Sequence, residues 1–151
     1  MTDQRTTHAS AVLVGARAVL IRGPSGSGKS RLALELIEAG HAGRLRFARL
    51  VADDRVRLEA VGGRLLASPA KALAGLIEVR GAGLLRMPYE TSAVVGVVVD
   101  LAAADASRLP NRDRRKTEVE GISLPRLAVA ADAAALPALL AMLNSSAESW
   151  I

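Results

Sequence analysis

Cysteine is absent from this 151-residue chain, which excludes disulfides and thiolate metal sites together. Aromatic residues make up only 2%, as one Phe, one Tyr and one Trp. The stacking platforms that grip single-stranded nucleic acid are therefore poorly supplied, and the core has to be built from Ala, Val, Leu and Ile. No apolar run is long enough to span a bilayer, because the best one, 93–104, is broken by Gly96 and Asp100. Residues 1–10 lack the apolar stretch of a signal peptide. Lysine is scarce, so the net charge of +5 rests almost wholly on arginine. A compositional bias toward Ala and Arg accounts for that charge more simply than a nucleic-acid partner does. No zinc-ligand spacing, RNA-recognition signature or recognition helix accompanies it. These absences point to a cytoplasmic protein that binds neither membrane nor nucleic acid. With no linker or repeat, residues 1–151 read as one domain with its core over roughly 6–144.

What is present centres on Gly23, Pro24, Ser25, Gly26, Ser27, Gly28, Lys29 and Ser30. The stretch reads G-x-x-x-x-G-K-S, a phosphate-binding loop of Walker A type. Its glycines let the backbone approach a ligand with no Cβ in the way, so that loop N–H groups converge on phosphate oxygens. A following helix N-terminus adds partial positive charge. Lys29 reaches the terminal phosphates, and the Ser30 hydroxyl is placed to hold Mg²⁺. The context agrees: 17–22 reads as a strand, and 29–39 as a helix with Leu32, Ala33, Leu36 and Ile37 on one face and Gly40 as its stop. The apolar run 11–14, the Gly15-Ala16 turn and strand 17–22 form a hairpin, which sets this loop apart from those fed by a purely parallel sheet.

Further along, Leu50-Val51-Ala52 runs into Asp53-Asp54. A strand closing in a carboxylate suits a Walker B position, and a second carboxylate can accept a proton from an attacking hydroxyl. Strands are expected over 55–61 and 64–67 around a Gly62-Gly63 turn. A short helix is expected over 70–73, capped by Ser68. Glu78 and Arg80 would share one face of a strand; from spacing alone that is an exposed, ion-bearing face. Residues 93–101 suit a fully buried central strand. Arg108, Arg112, Arg114, Arg115 and Lys116 stud a polar loop. A hairpin over 117–124 ends at Pro125, a helix covers 132–144 with its start delayed by Pro137, and 145–151 form a loose tail carrying Trp150.

In this order the parts resemble the catalytic domain of HPr kinase/phosphorylase. The resemblance is carried by His8, Gly23–Ser30, L-V-A-D-D at 50–54, I-E-V-R-G-A-G at 77–83 and the hairpin at 117–125. It implies an α/β P-loop kinase domain of the phosphoenolpyruvate carboxykinase-like type, with a mixed, largely antiparallel sheet and few helices. It further implies ATP- and Mg²⁺-dependent phosphorylation of a serine on HPr, a phosphocarrier protein. A reverse reaction using inorganic phosphate and yielding pyrophosphate, and assembly into a homo-oligomer, a hexamer, are also implied. Carried onto this sequence, Asp54 is the general base, Asp53 its partner near the metal, and His8 tunes the acidic pair. Lys29 acts on the phosphates; Ser30, Asp53 and Glu78 surround Mg²⁺; Arg80 is structural or faces phosphate. The chain reads as a short form without the N-terminal domain. Residues 128–132 carry no Arg where longer members have a basic segment, and Arg112, Arg114 and Arg115 compete for one late-loop catalytic role. A small-molecule kinase, with 108–116 as its lid, and a nucleotide-sensing module without turnover are the alternatives.

Overall fold

The structure is a computed structural model, and it describes residues 5–145; of the tail expected over 145–151, all but Ser145, Trp150 included, lies outside the described residues. Ten strands and two α-helices follow in the order β1 (Ala9–Val14), β2 (Arg17–Arg22), α1 (Lys29–His41), β3 (Ala48–Ala52), β4 (Val56–Val61), β5 (Arg64–Pro69), β6 (Leu76–Val79), β7 (Gly83–Arg86), β8 (Ala93–Asp100), β9 (Lys116–Val119), β10 (Ile122–Ala128) and α2 (Ala135–Asn144). The main sheet runs β3-β1-β2-β8-β10-β9, with the β4–β5 hairpin joining through β5 and β8. Strands β6 and β7 form a separate ribbon.

The hairpin read from Gly15-Ala16 is present: β1 pairs antiparallel with β2, from Ala9↔Arg22 to Val14↔Arg17. On its other side β2 pairs parallel with β8. The strand that delivers the phosphate loop therefore has one antiparallel and one parallel neighbour. The three mutually parallel strands β2, β8 and β10 end together at Arg22, Asp100 and Ala128.

The sheet is covered on both faces. Val19, Ile21, Val97 and Val99 pack with Leu32 and Leu36 of α1 and Leu139 of α2. Ala18, Leu20 and Val98 pack with Val56, Leu65 and Ala67 on the opposite side. Burial on both faces is why β8 reads as a valine run and not as an alternation.

Four local expectations are corrected. Helix α1 does not stop at Gly40 but continues to His41. A Cβ at Gly40 would lie 2.8 Å from the Ala48 Cβ and 3.0 Å from the Ala48 nitrogen, so glycine is there to let β3 pass close. Overpacking at such a contact costs about 1–3 kcal/mol, more than the roughly 1 kcal/mol alanine gains in helix propensity. Gly40→Ala is therefore expected to lower the urea midpoint, and Gly40→Leu to lower it further. Second, Ser68 caps nothing: Ser68 and Pro69 belong to β5, paired with Arg57 and Val56. The turn that follows is a 3-10 helix at Lys71–Leu73 preceded by Ala70. Third, Pro125 does not end its strand. Pairing with β9 finishes at Lys116↔Pro125, and pairing with β8 begins at Arg126↔Val98. The missing N–H falls where the strand changes partner, the kind of position sheets tolerate. Fourth, β6 ends at Val79, so Arg80 lies in the turn and does not share a strand face with Glu78. Helix α2 starts at Ala135 with Pro137 in its first turn, as its fixed φ favours.

Candidate active site

Strand β2 hands the chain to the phosphate loop at Gly23. A Cβ there would fall 2.5 Å from Ser27 Oγ and 3.1 Å from Leu101 Cβ, so only glycine lets the loop close against the end of β8. Gly28 takes φ 102 at the N-cap of α1, which has no side-chain cap and no acidic residue in its first turn. The first N–H groups of the helix are thus presented without an internal acceptor. Ser27 Oγ is enclosed with no partner among the described residues. An uncapped, uncompensated helix start beside an orphaned hydroxyl is suited to phosphate oxygens. Lys29 is 7% exposed, and its Nζ donates to the carbonyls of Gly23 at 2.8 Å and Pro24 at 3.1 Å. One of its three N–H donors is left for a ligand.

Asp53 and Asp54 part company in the structure. Asp53 is 5% exposed. It accepts from Ser10 Oγ at 2.7 Å, from Ser30 Oγ at 2.8 Å and from the Glu78 N–H at 3.0 Å. It therefore ties β1, the phosphate loop and β6 together. Asp54 points into the open cleft with φ 70, and the Arg55 N–H donates to the Asp53 carbonyl at 2.8 Å. An i→i+2 bond around a positive φ is the rarer and more strained form of γ-turn. His8 Nε2 meets Asp54 Oδ1 at 2.5 Å. That contact is fixed by the backbone, where Thr7 and Val56 exchange N–H···O bonds of 2.8 and 3.0 Å.

A cleft of about 710 Å³ collects the loop residues 25–30 together with His8, Asp54, Glu78 and Arg80. Ser30, Asp53 and Glu78 are brought together as well, although Glu78 reaches Asp53 by its backbone and keeps its carboxylate exposed. The described residues contain no cage of three or more His, Cys, Asp or Glu. A hydroxyl with one or two nearby carboxylates fits Mg²⁺, which keeps waters and substrate phosphates in its shell and does not need an all-protein cage. Ser30 would hold it, with Asp53 accepting a hydrogen bond from the Ser30 hydroxyl and Glu78 at the rim. Arg112, Arg114 and Arg115 form a 3-10 turn and are not among the cleft walls.

Two features escaped the sequence reading. One is Ser10, an unremarkable residue in an apolar strand. The other is a charged brace below the loop. Asp100 accepts from Arg22 Nε at 2.7 Å and Nη2 at 2.9 Å and from Arg126 Nε at 2.5 Å. Arg126 also forks onto Asp105 at 2.8 and 3.0 Å and donates to the Arg114 carbonyl at 3.1 Å. Arg22 Nη2 reaches Thr117 Oγ1 at 3.3 Å. The brace joins the three parallel strand ends to the basic loop. No sequence signal marks it, since its bonded partners lie 12–95 positions apart.

Burial opposes ionisation of Asp100, but hydrogen bonds from Arg22 and then Arg126 outweigh it and hold the carboxyl below its ordinary value. The Arg126 hydrogen bond does the same for Asp105 against a weaker desolvation. Arg126 is held above its ordinary value by Asp105, against its own burial and with help from Asp100. Depressed carboxyls add stability above the unfolded carboxylate pKa of about 3.9 and lose it as pH falls through the folded value. Urea midpoints should therefore be level from neutrality to about pH 5 and drop below about pH 4. Asp100→Asn should flatten that acid limb while costing about 2–4 kcal/mol at neutral pH, because two guanidinium groups lose their shared acceptor.

A family model described as the HPr Serine kinase C-terminal domain matches residues 1–140. The HPr kinase/phosphorylase of Clostridium tetani (strain Massachusetts / E88) is 38% identical over 140 residues, covering 83% of this chain and 44% of that protein. The HPr kinase/phosphorylase of Streptococcus thermophilus (strain ATCC BAA-491 / LMD-9) is 34% identical over 140 residues, covering 85% and 43%. The chain thus spans less than half the length of these curated relatives. Among solved structures, the Hpr(Ser) kinase/phosphatase from Coxiella burnetii matches with a TM-score of 0.73 and 26% identity, covering 92% of this chain and 93% of that one.

Proposed function

The chain belongs to the HPr serine kinase C-terminal domain family, and from that membership we propose that it transfers phosphate from ATP to a serine of an HPr-like phosphocarrier protein. The observation that carries this reading is the opening of one cleft onto the phosphate loop, Asp54 and Glu78 together. ATP supplies the phosphoryl group, and Mg²⁺ neutralises charge on its oxygens.

The chain's own residues do the rest. The loop amides, the α1 N-terminus and Lys29 hold the phosphates and stabilise charge as the bond to the leaving oxygen lengthens. Asp54 takes the proton of the acceptor serine as its oxygen bonds to phosphorus, leaving phosphoserine, ADP and a protonated Asp54. His8 holds the Asp54 carboxylate on the cleft side of the γ-turn. Asp53 does not touch the acceptor; it orders Ser30 and the backbone of Glu78. In phosphorolysis, a protonated Asp54 gives its proton to the serine oxygen while inorganic phosphate attacks the phosphoserine and pyrophosphate forms. Assembly into a homo-oligomer, as the family resemblance implies, is part of the same reading and is checked by light scattering.

The deciding experiment incubates the chain with ATP, Mg²⁺ and an HPr protein from the same genome. Phosphoserine on HPr, detected by mass spectrometry and dependent on both ATP and Mg²⁺, is the expected result. ATP consumption driven by a small hydroxylated metabolite and not by HPr would instead establish the small-molecule reading.

A further inference from the structure

Asp54 is the residue whose position matters most to the proposed chemistry, and its backbone is in the strained turn. A residue at positive φ outside glycine persists only where its surroundings over-determine it. Three contacts do so here. The Thr7–Val56 bridge holds the chain on both sides, His8 holds the Asp54 carboxylate, and Ser10 holds the turn from within.

Ser10 lies in β1 and is completely buried. Its hydroxyl is used in both senses. It donates to Asp53 Oδ1 at 2.7 Å and accepts from the Asp54 N–H at 3.3 Å. A single oxygen therefore spans the two acidic residues, and it rests on the strand paired residue by residue with β2, which feeds the phosphate loop. Neither alanine nor valine can supply this: both lack the hydroxyl, and they leave buried Asp53 short of a donor and the part-buried Asp54 amide short of an acceptor.

We propose that Ser10 is a positioning residue, whose hydroxyl fixes the Asp53–Asp54 turn so that Asp53 stays on Ser30 and Asp54 stays aimed at the acceptor. The assignment rests on the kinase reading for its catalytic consequence, but its geometric content is independent of it. Ser10 divides the labour of the acidic pair. By donating to Asp53 and accepting from the backbone of Asp54, it leaves the Asp54 carboxylate unclaimed by the β1 hydroxyl and open to the cleft. Loss of the hydroxyl frees the turn, and misplacement of a reacting group by as little as 1 Å costs about 10²-fold in rate.

The test uses a matched pair. Ser10→Thr and Ser10→Val have nearly the same shape and differ in the hydroxyl alone. Ser10→Thr should keep kcat near the native value. Ser10→Val should lower it by about 10- to 100-fold, with KM for MgATP changing less than kcat because Lys29 keeps its own contacts to the phosphate loop. Amide hydrogen exchange at Asp54 should be faster in Ser10→Val than in Ser10→Thr. Equal kcat and equal Asp54 exchange in the two variants overturns the proposal. Should both larger side chains prevent folding, Ser10→Ala replaces them. Native kcat and native Asp54 exchange in that variant overturns it equally. A native chain that phosphorylates no HPr while Asp54 exchange still separates valine from threonine refutes the kinase reading and sustains the assignment of Ser10. Phosphorylation by the native chain with no such separation does the reverse.

Discussion

Asp54→Asn is expected to transfer phosphate to HPr about 10²- to 10⁴-fold more slowly than the native chain, the usual contribution of a positioned general base. Asparagine is the informative substitution because of the backbone. Asp54 sits at φ 70, a conformation that Asn and Asp enter more readily than other residues with a Cβ. The γ-turn, the Asp54 N–H bond to Ser10 and the cleft should all survive, so the loss is one of proton acceptance alone. Asp54→Ala would add a backbone cost of about 1–2 kcal/mol and confound the result. Single-turnover phosphoserine formation, read beside MgATP affinity by calorimetry, separates the effects. The rate should collapse with affinity nearly unchanged. A rate for Asp54→Asn close to native would remove Asp54 from the role of base.

Lys29→Met should be as damaging to transfer, for a different reason, and should not destabilise the protein. Removing one preorganised charge from the transferring group costs on the order of 10²–10³ in rate, and nucleotide affinity should fall with it. Without ligand, the Lys29 ammonium is nearly buried beside the positive end of α1, compensated among the described residues by the carbonyls of Gly23 and Pro24. Methionine fills a similar volume without the charge, so the ligand-free melting temperature should hold or rise. Such a trade of stability for activity is expected where a site stores unfavourable charge for its ligand. A melting temperature that falls with full activity retained would contradict both halves of the argument.

How far the site could be read in advance differs from one residue to the next. The phosphate loop was legible because its chemistry is local: eight consecutive positions carry the turn, the cation and the hydroxyl. The Asp pair was legible as a pair because it closes an apolar strand, but the separation of its members was not. Asp53 turned inward as an organiser and Asp54 outward in a γ-turn because β1 and β6 pack against them, and both contacts span more than 20 positions. Glu78 drew attention only through resemblance, and its place beside Asp53 comes from its backbone N–H. Ser10 and the Arg22–Asp100–Arg126 brace gave no signal, since a serine in a strand and an arginine in an arginine-rich chain look ordinary.

By itself, then, the sequence determined most of the elements and the place of the Walker loop among them. Apolar periodicity and turn residues act over a few positions, and a Walker loop contains its own donors. The corrections at Gly40 and Pro125 mark where that reach ends, because each is set by a strand arriving from elsewhere. Only the tertiary structure decided which carboxylate faces the cleft, which hydroxyl bridges the acidic pair and which charges brace the strand ends. Those choices depend on hydrogen bonds between distant strands, whose strength comes from burial that no single segment can create.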